Sequence, residues 1–237
     1  MSTATSSSLT LLTNVITAPA QAFATLKERP TVWLPLLIVL VLYCLVSYVY
    51  TVSVDLPWLV DQQLQQTPNL TNAQREQAVQ AVTRVPAAVY GALGAGGAAV
   101  VIAIVLALSA LYYTVVSFAT GDGVKYRQWF ALAAWCAVPI VFGVLASLVH
   151  VLAADARFMR QEELNPFSFG NLLGVDFANV TRFQRFLLSL DVTAVWSLVL
   201  SIVGYQVFTK RSLALSAAIV LGPLAVIVAV GTLLALR

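Results

Sequence analysis

Long stretches without a charged side chain, broken by short or mixed polar segments, set the plan of this chain. Residues 31–54 form the first of these runs, long enough to cross a bilayer, which takes about 20 apolar residues for about 30 Å of hydrocarbon. The second extends over residues 85–121, 37 positions without charge, and its crossing part is placed at 86–117. Further runs follow at 129–154, at 191–209 (uncharged from Val192 onward) and at 212–236. The pattern predicts an all-α polytopic membrane protein with five transmembrane helices in one domain, 31–237, after an N-terminal segment, 1–30. Interfacial amphipathic helices are expected beside the spans.

The N-terminal segment opens with a Ser/Thr tail, expected to be disordered, that lacks the basic start and short apolar core of a cleaved signal peptide. The first span is therefore expected to stay as an anchor. Leu12, Val15, Ile16, Ala20, Phe23 and Leu26 then recur at spacings of three and four, an amphipathic helix interrupted at Pro19. It is too polar to span. Two placements fit the periodicity: in the headgroup interface, with Lys27 and Arg29 outward, or packed against the bundle from below.

Two polar connections stand out. In residues 61–84, Thr71 followed three positions later by Gln74 predicts a capping box and a short solvated helix. Residues 155–190 begin mixed in charge, turn aromatic and glycine-rich, and end with Phe183, Phe186, Leu187 and Leu190 on one face and Arg182 and Arg185 on the other. That end predicts a short interfacial helix, and the whole loop is a candidate lid or docking surface.

Within the spans, Gly91, Gly94 and Gly97 are read as a helix-packing face, since small residues let backbones approach closely in lipid; a hinge or pore lining is the other reading. Pro139 and Pro223, the latter after Gly222, are expected kinks. Gly121-Asp122-Gly123 is a turn by composition, without the GxxxxGK[ST] spacing that would make it a nucleotide loop. Asp122, Lys125, Arg127, Arg182 and Arg185 are candidate contacts for a partner or for lipid headgroups.

Composition narrows the classes. With 60% hydrophobic and 10% charged residues the chain is not a water-soluble domain. Its net charge of +3 comes from bases scattered in pairs such as Lys210/Arg211, so a nucleic-acid partner is not expected. Cys44 and Cys136 lie inside apolar runs and act as small hydrophobes. No Asp, Glu, Lys or Arg falls inside a run, which argues against proton-coupled transport and intramembrane hydrolysis. The single histidine, His150, lies near the end of the third span and is read as wetted at the interface. No residue cluster suggests a catalytic centre, a metal or a cofactor.

Five spans put the chain ends on opposite sides. On the N-terminal side lie six basic residues, Lys27, Arg29, Lys125, Arg127, Lys210 and Arg211, against two acids, a net of +4; the other side holds seven against eight, a net of −1. The first group lies in short segments beside the spans, where such charges orient a chain, so the N-terminus is expected in the cytoplasm and the C-terminus outside. Asn69 and Asn179 start glycosylation acceptor triplets in the two outer loops, and no glycan is expected on them.

Taken in order, these residues resemble a known family. An amphipathic N-terminus with Pro19, Phe23 and Leu26 is followed by a first span after Arg29-Pro30 and an outer helix reading TNAQREQAVQAV. A long second span leads to the G-D-G turn, Tyr126 and a restart ending in Pro139, and later to LSLDVTAVWSLVLSIVGYQVFTKRSLALSAAIV. The chain resembles the Yip-one domain family, the Ypt/Rab-interacting membrane proteins, and in particular its short bacterial branch, from about Val15 onward. The resemblance implies a five-span helical membrane protein without known catalytic residues, in the bacterial inner membrane. Eukaryotic members contact small GTPases through a long cytosolic N-terminal region with an acidic Gly-Pro motif. This chain has some 30 residues before its first span and no such motif, so a small GTPase is not expected as partner. The expected function is a non-enzymatic scaffold or adaptor for membrane-protein partners, for itself, or for organising the bilayer. The alternative is a small channel or transporter with a site between kinked helices, which a wet cavity lined by Tyr112, Tyr113, Thr114, Ser117 or His150 would favour.

Overall fold

The chain was analysed as a computed structural model that describes residues 8–65, 67, 70–175, 180, 184 and 188–235, with side chains as far as residue 229. Arg182 and Arg185 lie outside the described residues. Apart from an isolated bridge between Ser168 and Asp191, the described residues hold helices, turns and loops only.

Four segments are long and apolar enough to cross a membrane. They are α3 (Trp33–Ser53), α6 (Ala87–Thr120), the tandem pair α7 (Tyr126–Cys136) and α8 (Ile140–Ala153), and α10 (Val192–Thr209). α11 (Leu213–Ala235) follows as a further apolar helix of 23 residues, with Pro223 inside it. The chain is an all-α polytopic membrane protein. α3 packs against α6 and α8, α6 against α7, and α10 against α7 and α11. The core sits where α6, α7 and α10 meet. The rings of Trp129 and Tyr205 stack at 5.2 Å, with Tyr113 at 5.3 Å and Phe208 at 5.4 Å from Trp129. Ring pairs at such distances contribute about 0.5–1.5 kcal/mol each beyond the area they bury.

Two short helices precede the spans, α1 (Ser8–Thr17) and α2 (Pro19–Glu28). Their amphipathic face is covered by protein: Val15, Phe23 and Leu26 are wholly buried in the same core as Trp129 and Phe208. Of the two placements the periodicity allowed, the packed one is observed. The Lys27 ammonium donates to the Phe208 carbonyl, while Ile16, near the bend at Ala18, lines a cleft with Pro139 and Val199. The hairpin therefore runs beside α10, from the level of Val199 to its last turn at Phe208. Two bonds tie the following segment to α7, Gln128 Nε2 donating to the Lys27 carbonyl at 2.7 Å and Trp135 Nε1 to the Thr31 carbonyl at 2.7 Å.

At the opposite end, α4 (Leu56–Gln65) and α5 (Asn72–Thr83) form a polar hairpin. A forked ion pair closes it, with Arg75 Nε to Asp61 Oδ1 at 2.6 Å and Nη2 to Oδ2 at 2.8 Å. Thr71 and Gln74 complete a capping box at the start of α5. The connection after α8 makes two short 3-10 turns, at Ala156–Phe158 and Gln161–Glu163, and a one-turn helix, α9 (Phe169–Leu172). Tyr50 Oη donates to the Met159 carbonyl at 3.1 Å and so fixes the first turn to α3.

Candidate functional site

The turn between α6 and α7 is built on two glycines in the left-handed region, Gly121 at φ 71° and Gly123 at φ 69°, a backbone that side-chain-bearing residues adopt only under strain. Between them Asp122 turns inward, its side chain 4% exposed. Arg211, between α10 and α11, grips it: Nε and Nη2 both donate to Asp122 Oδ1, at 2.9 and 2.8 Å. Nη2 also donates to the Thr120 carbonyl at 2.8 Å, one of the orphan acceptors at the end of α6. The Thr120 hydroxyl donates to Asp122 Oδ2. Asp122 is thus committed inside the fold. Lys125 and Arg127 remain exposed, Arg127 beside a shallow cleft with Trp33 and Phe130.

The glycines of α6 divide between two faces. A Cβ on Gly91 would come within 2.8 Å of the Tyr48 ring, and one on Gly94 within 3.2 Å of Ser47 Oγ, so both lie against α3. Gly97 has nothing within 4 Å. Helical geometry separates them, because at 3.6 residues per turn each step of three falls back by about 60°, and two steps carry Gly97 off the α3 face. The α3 contact continues through residues four apart, with Cys44 Sγ donating to the Ala95 carbonyl at 3.4 Å.

Pro139 lies in the break between α7 and α8, where residues 137–139 are turns. Pro223 lies inside α11, where a proline leaves the carbonyl four residues earlier without its usual amide. That carbonyl belongs to Ile219, and it accepts the hydroxyl of Tyr112, from α6, at 2.8 Å.

Tyr112 also lines a cleft of about 670 Å3 between α6, α7, α10 and α11, together with Tyr113, Cys136, Leu198 and Pro223. Most of its hydroxyls are spent on backbone: Ser109 donates to the Val105 carbonyl and Ser201 to that of Ser197. Ser197 Oγ is buried with no partner among the described residues. Of the other polar residues singled out in the sequence, Thr114 donates to the Ala110 carbonyl, Ser117 is buried and accepts the Val124 amide, and His150 occupies the last turn of α8 away from this cleft. The described residues contain no cluster of three or more His, Cys, Asp or Glu able to hold a metal ion.

Sequence reasoning listed Asp122 without its partner, since the two residues are 89 positions apart and only the fold joins them. It also passed over Asp191, which it placed at the edge of a span and whose surroundings are described below. A family model described as the Yip1 domain matches residues 13–235, nearly the whole chain. No curated protein and no solved structure matches it.

Proposed function

The chain belongs to the Yip1-domain family, and from that premise we propose that it works as a non-enzymatic scaffold or adaptor, holding membrane-protein partners or a second copy of itself in the bilayer. The observation that carries this reading is the free face of α6. The helix has 34 residues, about 51 Å at 1.5 Å per residue; α3 and α7 pack along it and α11 touches it at Tyr112, which leaves a further face uncovered. On that face Gly96 and Gly97 stand open, flanked by exposed Leu93, Val100, Val101 and Ile104. Small residues bordered by branched ones are what a second helix packs against in lipid, where no hydrophobic force separates helix from solvent.

The test is disulfide or photo-crosslinking in native membranes from Gly97→Cys, with Gly94→Cys, on the α3 face, as control. Repeated capture of a defined partner or of a dimer at position 97 alone supports the reading; capture at neither position in any membrane preparation refutes it. The channel reading has one observation in its favour, the cleft that Tyr112 and Tyr113 line, but its walls are apolar and most of its hydroxyls are bonded to backbone.

We place the protein in a bacterial inner membrane with the Asp122 turn in the cytoplasm. The argument is charge: Arg29, Lys125, Arg127 and Lys210 are all exposed at that end. A reporter fused after Arg237 that is active only in the cytoplasm would overturn this orientation.

A further inference from the structure

At the end away from the Asp122 turn, α3, α6 and α8 diverge around a second cavity, of about 560 Å3, within the roughly 300–1,000 Å3 that small-molecule sites occupy. Gln161, Asn165 and Asp191 line it from the loop side, and Tyr43 and Ser47 of α3 line it further in. Its lower wall is apolar, with Val46, Ile140 and Val144. Ile140 also lines the larger apolar cleft described above, and the neighbours Leu190 and Asp191 line one cavity each. A chamber with polar groups on its loop side therefore adjoins a greasy groove.

The chemistry of the chamber is set by Asp191. Its carboxylate caps α10: Oδ1 accepts the Ala194 amide and the Thr193 hydroxyl, both at 2.6 Å, and Oδ2 accepts Asn165 Nδ2 at 2.6 Å. A carboxylate offers about four acceptor sites, and these three donors are all neutral, so one site on Oδ2 and the full negative charge are left over. Among the described residues Asp55, Asp61 and Asp122 each have an arginine as ion-pair partner, while no ion pair joins a basic side chain to Asp155, which lies in the loop after α8, or to Asp191, which lines the cavity. Gly143 lies beside this cap: a Cβ there would meet Thr193 Oγ1 at 3.2 Å and touch Asp191 Oδ2 at 3.6 Å, so the glycine leaves room next to the carboxylate.

We propose that this chamber and the adjoining groove bind one phospholipid with a primary-amine headgroup. The ammonium donates to Asp191 Oδ2 and neutralises it, and an acyl chain descends past Ile140 into the cleft between α6 and α11. An anionic headgroup is repelled by the carboxylate. A choline headgroup carries the charge but has no N–H to donate and is bulkier beside Gly143.

The test uses the full chain purified in nanodiscs containing phosphatidylethanolamine, phosphatidylcholine and phosphatidylglycerol of matched acyl chains, with retained lipid measured by native mass spectrometry after mild delipidation. Phosphatidylethanolamine is expected to be retained over either competitor by about tenfold, the scale of one charge-assisted hydrogen bond. Asp191→Asn, which keeps an effective helix cap, should erase that preference. Ala98→Leu, which narrows the chamber from α6 and leaves the Asp191 carboxylate in the sequence, should lower retention of the amine lipid by a similar factor. Equal retention of the three lipids, a preference for phosphatidylglycerol, or an Asp191→Asn protein that still selects the amine overturns the proposal. If Asp191→Asn does not fold, unchanged amine-lipid retention in Ala98→Leu overturns it.

Discussion

Tyr112 and Pro223 should be energetically coupled. Pro223 deprives the Ile219 carbonyl of its helical donor, and the Tyr112 hydroxyl replaces that donor from α6 at 2.8 Å. Tyr112→Phe keeps the ring and removes only the hydroxyl, leaving a carbonyl unpaired at membrane depth. An unsatisfied buried acceptor costs about 1–3 kcal/mol, and measured interhelical hydrogen bonds in membranes average about 0.6 and reach about 1.7. The expected loss is about 1–1.5 kcal/mol. Pro223→Ala restores the missing N–H, so in that background Tyr112→Phe should cost close to nothing, and the difference between the two backgrounds is the coupling. Equilibrium unfolding of the four proteins in one bicelle or micelle system measures it. A Tyr112→Phe penalty that is the same with proline and with alanine at position 223 would refute the assignment of this hydroxyl as the substitute donor.

Four further outcomes follow. Arg211→Ala should destabilise the chain by about 2–3 kcal/mol, because the buried Asp122 carboxylate loses its counter-charge and both donors to Oδ1, and the Thr120 carbonyl loses its arginine donor; Asp122→Asn should recover part of the loss in the double variant. Phe23→Ala should cost about 3 kcal/mol in the same assay, as for a core ring; a change near zero would put α2 in lipid. Gly204→Ala drives a Cβ into Leu132 Cδ1, with Leu132 wholly buried, and should cost about 1–3 kcal/mol, whereas Gly97→Ala, in open space, should be neutral or stabilising. The Arg75 hydrogen bonds hold the Asp61 carboxyl below its usual range. Since the folded value is depressed, the α4–α5 hairpin keeps this contribution above the ordinary carboxylate pKa and loses it as pH falls through the depressed one. Amide exchange in α5 should therefore accelerate on acidification, and Asp61→Asn should abolish that dependence.

The class of this protein was legible because hydrocarbon is an undemanding reader: an uncharged run of 20 residues has few alternatives. Local chemistry was legible too, as the capping box of Thr71 and Gln74 depends on residues three apart. What the sequence withheld was every pairing between distant segments. The periodicity of residues 12–26 defines an apolar face but not whether lipid or protein covers it, and Phe23 finds Trp129 and Phe208 only when the bundle closes. Three glycines at one spacing look alike until α3 takes Gly91 and Gly94 and leaves Gly97. Asp191 caps α10 before Val192, and only the fold shows that its carboxylate, unlike those of Asp55, Asp61 and Asp122, lines a cavity with neutral donors alone.

The basic residues at the Asp122 end separate into two kinds of work that a count cannot distinguish. Lys27 and Arg211 are turned to the protein, and each reaches a carbonyl at the end of a helix: Lys27 that of Phe208 in α10, Arg211 that of Thr120 in α6. Helix C-termini carry unpaired carbonyls and a partial negative charge, so a cation there satisfies an acceptor and the dipole at once. Both contacts join distant segments, residue 27 to 208 and 211 to 120, so the same two charges fasten the N-terminal hairpin and the α10–α11 connection to the bundle. Arg29, Lys125, Arg127 and Lys210 are the ones left exposed. The proposed orientation in the bilayer is argued from those four and not from the other two, because a charge already engaged by protein acceptors has little left to offer a headgroup.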